Sequence, residues 1–335
     1  MPTVTLESTA ASQRRIALGQ QGEFVLRGFD GPVEARFFLT HDGIRYLTPL
    51  NQSAADSVRV YPEAPGAYTV SAAWQLPSGE SGWAETSFEV DGPASSGGPE
   101  LVSIPDGPRA WVPSRWESAL SVKHEERVVG LLSRLVKPGA TVYDVGANIG
   151  LFATRFARWA GASGHVYCIE ANPLCVYFLR ANLQASGAKN FDILPVCLLD
   201  SPRLAEFTIS YGNNLLGVAQ DSPFANKPGH HIHVESASLD ELIGSQHLRA
   251  PDFIKVDIEG AEGTAAAGMR ETIARARPVL MFELHGRAAA AATLAHLEQF
   301  GYRYHEISQG RDFAGARALS DWFPDACLQV VGFPD

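Results

Sequence analysis

The chain has 335 residues, 45% of them hydrophobic, and a formal net charge of −10. That apolar content is enough for one large core or two smaller ones and excludes disorder by composition. The acidic balance, uninterrupted by any run of Lys and Arg, argues against a nucleic-acid backbone or an anionic membrane as the main partner.

From the N-terminus, "TVTLES", "GEFVLRGF", "VEARFFLT", "IRYLTPL", "DSVRVYP", "GAYTVSAAWQL" and "WAETSFEV" read as short alternating strands. Turn residues separate them: Asp30-Gly31, Asp42-Gly43, Pro65-Gly66 and Ser78-Gly79. So many short strands in so short a stretch predict a small all-β sandwich over residues 1–92. The end of this region resembles the last strands of an immunoglobulin-like module, with Tyr68 placed like a tyrosine corner; Trp74 and Trp83 are candidate exposed contacts, with a place in the sandwich core the alternative for one of them. "DGPASSGGPE" then reads as a linker, residues 93–100.

Beyond it, in 101–335, strands and helices alternate. The spacing predicts an amphipathic helix over 124–136, strand 141–145, helix 150–160, strand 165–170, helix 173–186 and strand 191–196. An irregular polar region runs from 201 to about 233, and Ser238 starts a short helix. Strand 252–257, helix 261–276, strand 278–284, helix 288–300 and two strand-like runs, 301–307 and 326–333, complete the pattern. Such alternation implies an α/β fold, a mostly parallel sheet with helices on both faces.

In such sheets ligands bind at the carboxyl ends of the strands. "VYDVGANIG" ends a strand in Asp144 and follows it with Gly146, Ala147, Asn148 and Gly150. Glycine lets backbone approach a ligand, and the next helix aims its first N–H groups at the same place. "HVYCIEANP" ends a second strand in Glu170, 26 residues after Asp144. That is about the spacing at which a carboxylate meets a ribose diol. The dinucleotide fingerprint G-x-G-x-x-G is absent, because Asn148 stands where its middle glycine would fall. Asp144 also suits an ammonium group better than a pyrophosphate, which favours a nucleoside carrying an amino acid.

With "VYDVGANIGLFA", "CIEANP", "SLDELI", "FIKVDIEGAEG" and "PVLMFELHG" in order, the chain resembles the FkbM family of S-adenosylmethionine-dependent methyltransferases. The resemblance covers residues 125–332. It implies a class I methyltransferase fold, Rossmann-like, with a seven-stranded sheet of order 3-2-1-4-5-7-6 and strand 7 antiparallel. It implies methyl transfer, usually to oxygen, on sugars, polyketides or other secondary metabolites. By resemblance Asp144, Gly146, Ala147, Asn148 and Gly150 lie along the methionine part of S-adenosyl-L-methionine. Glu170, with Ala171 and Asn172, takes the ribose; Val196 and Cys197 border the adenine; Asp257 closes the site.

Lys255, Asp257 and Glu259 place three charges in and after one apolar strand, where packing alone would not put them. The next strand ends in Glu283 and His285. The expected catalytic set is therefore His285, Asp257 and Glu283, with His285 as the base by its intrinsic pKa. The four cysteines, Cys168, Cys175, Cys197 and Cys327, form no CxxC pair and no zinc spacing. No metal ligands are assigned; the alternative is that Asp257 and Glu283 bind Mg²⁺, which prefers oxygen ligands and would lower the acceptor hydroxyl's pKa. Reduced thiols in a cytoplasmic protein are expected. His230, His231 and His233 are read as an exposed strand or loop rim, and Tyr211, Asn213 and Asn214 as candidate acceptor contacts. The expected partner is a small-molecule or glycan acceptor, with self-association open. The rival readings are an NAD-dependent oxidoreductase and a non-catalytic nucleoside-binding protein.

Overall fold

A computed structural model describes residues 5–8, 15–17, 22–29, 33–41, 44–47, 57–60, 66–91, 100–103, 109–112, 125–210, 217–219, 222 and 229–335. Tyr211, Asn213, Asn214, His124 and nearly all of the expected linker lie outside these residues. The chain divides into two compact units, Met1–Pro99 and Glu100–Asp335.

The first unit holds two sheets. Thr5–Ser8, Gly22–Arg27 and Ser57–Val60 form one, and Arg15–Ala17, Ser81–Asp91, Gly66–Gln75, Glu34–His41 and Ile44–Leu47, in that order, form the other. They face each other through aromatic side chains: Phe24 of the first lies 5.1 Å from Phe88 of the second, and Tyr68 stacks on Phe88. Inward residues alternate with outward ones along each long strand. Trp83 is exposed, its Nε1 donating to Glu85 at 2.6 Å, whereas Trp74 is buried beside Phe29. Of the two, Trp74 is the core residue, because it falls on the inward phase of its strand, and Trp83 remains the candidate contact.

The second unit is built on one eight-stranded sheet. Seven of its strands are numbered in chain order: β1 Thr141–Val145, β2 His165–Ile169, β3 Phe191–Leu194, β4 Phe253–Val256, β5 Val279–His285, β6 Tyr302–Glu306 and β7 Cys327–Pro334. Their spatial order is β3-β2-β1-β4-β5-β7-β6, with the short strand Arg311–Phe313 outside β6. β1 to β5 pair in parallel, and β7 runs antiparallel to both β5 and β6. This is the order the resemblance implied, with one added edge strand.

Strand alternation divides the core in two. Tyr143, Val145, Ile254, Val256, Leu280 and Phe282 pack with helices Leu239–Gln246, Glu262–Ala267, Arg270–Ala276 and Arg287–Leu297. Val142, Phe253, Met281 and Val331 pack on the opposite face with helices Glu125–Leu135, Leu151–Ala160 and Pro173–Ala185. Two expectations need correction. The predicted helix 261–276 is two helices, broken at Gly268, where a Cβ would lie 2.2 Å from the Leu199 carbonyl oxygen. The region read as irregular is a small sheet of four strands, ordered Cys197–Leu198, Gly229–Ala237, Arg203–Ser210, Gly217–Ala219. Its signal was present: Ala205, Phe207 and Ile209 alternate inward, as do Ile232, Val234 and Ser236.

Candidate active site

A half-open cavity of about 220 Å³ lies at the carboxyl ends of β1, β2 and β4. The turn after β1 is forced by its residues. Gly146 has φ 74°, and a Cβ there would lie 1.8 Å from the Asp257 carbonyl oxygen, so the ends of β1 and β4 meet backbone to backbone. Asn148 is also left-handed at φ 50°, a conformation Asn tolerates better than most residues. Gly150 caps helix Leu151–Ala160 at φ 86°.

Glu170 ties that turn to β2. One carboxylate oxygen accepts from the Asn148 N–H at 2.7 Å, the other from the Asn172 N–H at 2.8 Å. Burial pushes its pKa up to about 7, against the lowering effect of backbone N–H groups from Asn172, Asn148 and Ala171. A carboxylate has about four acceptor sites, so Glu170 keeps capacity for a ligand hydroxyl.

Gly146, Ala147, Asn148, Glu170, Ala171, Val196, Cys197 and Asp257 line the cavity, together with Lys255 and Glu259. Three of the expected residues do not. Asp144 is wholly buried behind the wall, and burial raises its pKa although Lys255 opposes the rise. Asn172 spends its side chain capping helix Pro173–Ala185 by accepting from the Leu174 N–H at 3.1 Å. Gly150 serves as a helix cap. In this structure all three stand behind the residues that make the wall and support them.

The apolar face that carries Val142, Phe253, Met281 and Val331 turns polar toward its carboxyl edge. Asp144 and Lys255 are register partners on β1 and β4. Lys255 Nζ lies 3.6 Å from Asp144 and 3.3 Å from Asp257, over the Phe152 ring. Burial opposes its charge, but Asp257, Asp144 and Glu283 outweigh burial and raise its pKa. Asp144 and Asp257 are thus the ion-pair partners of Lys255.

His285 does not line the cavity. Its Nδ1 lies 2.8 Å from the wholly buried Glu262, and its Nε2 lies 4.0 Å from Asp257 and 3.8 Å from Glu259. Burial alone would lower its pKa. Hydrogen bonds with Cys327 and Glu262 and the charges of Glu262 and Asp257 prevail and push it up to about 11. These surroundings favour the imidazolium, and the ring sits among Glu262, Asp257 and Glu259 rather than in the cavity wall. Glu283 is also behind the wall, its oxygens meeting Cys327 Sγ at 3.2 Å and Gln329 Nε2 at 3.0 Å. Of the expected catalytic set only Asp257 faces the cavity.

Sequence reasoning missed Glu262, the second acid of "EGAEG", and the wall residues Phe207, Gly217 and Ala219 from the small sheet. It also missed Ser222, whose Oγ donates to the Glu259 carbonyl at 2.6 Å. That bond pins a second left-handed residue, Glu259 at φ 54°, at the cavity edge. His231 is exposed and paired with Glu206 at 3.0 Å, and His233 is exposed, in line with a strand rim.

Three acids, Glu170, Asp257 and Glu259, and one base, Lys255, face this cavity. That wall fits a cationic nucleoside and opposes a pyrophosphate. The sheet order and the acid-lined cavity at its carboxyl edge define an α/β enzyme domain for such a ligand. The Methyltransferase FkbM domain family matches residues 144–304. The 2-O-methyltransferase NoeI of Sinorhizobium fredii is 25% identical over 189 residues, which cover 53% of this chain and 75% of NoeI. The unit Glu100–Asp335 is accordingly a methyltransferase domain, and its cofactor is S-adenosylmethionine. Among solved structures, the chain is similar to methyltransferase FkbM from Methylobacillus flagellatus, with TM-score 0.39, 14% identity and coverage of 65% of this chain and 60% of that one. It is also similar to precorrin-6y C5,15-methyltransferase from Geobacter metallireducens, with TM-score 0.39, 14% identity and coverage of 63% and 87%. Among the described residues no helix is long and apolar enough to cross a membrane.

Proposed function

We propose that the protein transfers a methyl group from S-adenosylmethionine to a hydroxyl of a sugar, glycan or secondary metabolite. The observation that carries this reading is the placement of Glu170, Asp257 and Glu259 on one cavity wall around the Gly146 turn. The 2-O-methyltransferase similarity supports oxygen as the acceptor atom.

When bound, the cofactor supplies an electrophilic methyl group on a sulfonium. The residues of this chain do the rest. Glu170 accepts from the ribose hydroxyls, and the Gly146–Asn148 backbone lies along the amino-acid part. Val196, Cys197 and Leu198 border the base with apolar surface. Asp257 and Glu259 face the acceptor, and Asp257 takes the hydroxyl proton during the in-line displacement. Lys255 Nζ at 3.3 Å and His285 Nε2 at 4.0 Å hold that carboxylate in its orientation. Phe207, from the small sheet, bounds the acceptor side.

The test combines two measurements. Cells with and without the gene are compared by mass spectrometry for metabolites differing by one methylene. The purified enzyme is then assayed on the candidates with Asp257→Asn beside wild type. The expected result is loss of turnover of about 10²–10⁴-fold, the usual contribution of a positioned base, with cofactor affinity retained. Undiminished turnover in Asp257→Asn would remove it from the chemistry.

A further inference from the structure

Behind the cavity wall, β5 and β7 bring three different donors together. His285 and Cys327 are directly opposed in the antiparallel register, and Glu283 lies two residues before His285 on the same face. One donor atom from each, a ring nitrogen, a thiol sulfur and a carboxylate oxygen, all lie within 4.8 Å of one another.

Each of the two less flexible donors is held by a partner of its own. Glu262, wholly buried, binds His285 Nδ1 at 2.8 Å, and the other ring nitrogen, Nε2, lies 4.0 Å from Asp257 and 3.8 Å from Glu259. Gln329 binds one oxygen of Glu283 at 3.0 Å and leaves the other, at 3.2 Å from Cys327 Sγ, on the side of the thiol. A carboxylate on the far nitrogen of a histidine, and an amide on the far oxygen of a carboxylate, are the outer partners that orient metal ligands. Bonds of about 2.0–2.3 Å at tetrahedral angles separate ligand atoms by roughly 3.3–3.8 Å, so small side-chain rotations close this set on one ion. Cys327 is exposed, which gives an ion a path in.

We propose that Glu283, His285 and Cys327 form a site for a divalent transition-metal ion. The mixed thiolate, imidazole and carboxylate donors favour zinc and disfavour magnesium, which takes oxygen ligands. Three protein ligands leave a fourth position, and Asp257 and Glu259 stand on that side at 4.0 and 3.8 Å from His285 Nε2. The ion replaces the protons on Nε2 and Sγ and sits against the two cavity-facing acids. The proposal concerns binding and does not rest on the methyl-transfer reading.

The test is a cobalt(II) titration of the full-length protein after treatment with chelator and reductant. A thiolate-to-cobalt charge-transfer band in the near ultraviolet is expected, saturating at one ion per chain and abolished by one equivalent of zinc. Cys327→Ser removes that band; the other three cysteines, Cys168, Cys175 and Cys197, are buried. Glu283→Gln, and Glu262→Gln, which would act through His285 and also loses the bond from the Gly260 N–H, are expected to weaken zinc binding by about 10–100-fold. Circular dichroism and a melting curve confirm that each variant is folded, and S-adenosylmethionine binding in the same samples reports the cofactor site separately. No saturating band in wild type, or an unchanged band in Cys327→Ser, would overturn the proposal.

Discussion

Single residues at this site hold charges that their surroundings have displaced. Glu170 sits at about 7, above the ordinary glutamate value. A carboxyl raised in the folded state binds its proton more tightly there than in the unfolded chain, so its contribution to stability falls as pH rises toward 7. Ribose hydroxyls donate to the ionised form, so cofactor affinity is expected to rise with pH up to about 7 and then level off. Calorimetry across that range checks this, and Glu170→Gln should flatten the profile. Glu170→Ala, losing charge-assisted bonds of roughly 1.5–3 kcal/mol each, is expected to bind S-adenosylmethionine about 10²–10³-fold more weakly. His285 has the opposite sign. Its raised pKa gives stability that is complete below its ordinary value of 6.5 and is lost as pH climbs through about 11. In chelator, the melting-temperature gap between wild type and His285→Gln should therefore shrink from pH 6 to pH 10. Lys255→Met leaves the buried Asp144 without its cation. Breaking a buried pair from one side costs about 3–5 kcal/mol, so chemical denaturation should show a loss of that size. A loss below 1 kcal/mol would mean that Asp144 is already neutral.

At the scale of elements, the turn after β1 and the small sheet do different work. Gly146→Ala drives a Cβ into the backbone of Asp257 and should abolish cofactor binding or folding; a soluble variant with wild-type affinity would show that β1 and β4 do not meet there. Ser222→Ala releases the Glu259 carbonyl, a bond worth about 0.5–1.5 kcal/mol. Its expected effect is a several-fold fall in kcat with cofactor affinity unchanged. The parallel sheet was legible in the sequence because β1, β2, β4 and β5 are mostly apolar and alternate with helix patterns. The small sheet was not, because polar outward residues, such as His231 and His233, interrupt the apolar ones along Arg203–Ser210 and Gly229–Ala237. The site was half legible for a similar reason. Strand-end acids announce themselves, but their pairing depends on which strands are neighbours. Only register places Asp144 beside Lys255 and Cys327 beside His285. Cys327 lies 42 residues after His285, so no local spacing could have joined them.

For the whole molecule, the two compact units assign the chemistry to one of them. Every cavity residue named above lies in Glu100–Asp335. The sandwich has its own aromatic core around Phe24, Tyr68 and Phe88. A fragment beginning at about Gly97 is therefore expected to fold and bind S-adenosylmethionine as the full chain does. The sandwich should matter for acceptor choice or self-association, with Trp83 its most exposed large aromatic side chain among the described residues. Native mass and acceptor turnover of the two forms check this; an insoluble fragment would make the sandwich part of the catalytic fold. The most direct test of the central claim is calorimetry of the full-length protein with S-adenosylmethionine, S-adenosylhomocysteine and NAD. The acid-lined cavity predicts one site per chain for the first two and no measurable heat for NAD. Binding of NAD in preference to both would contradict it.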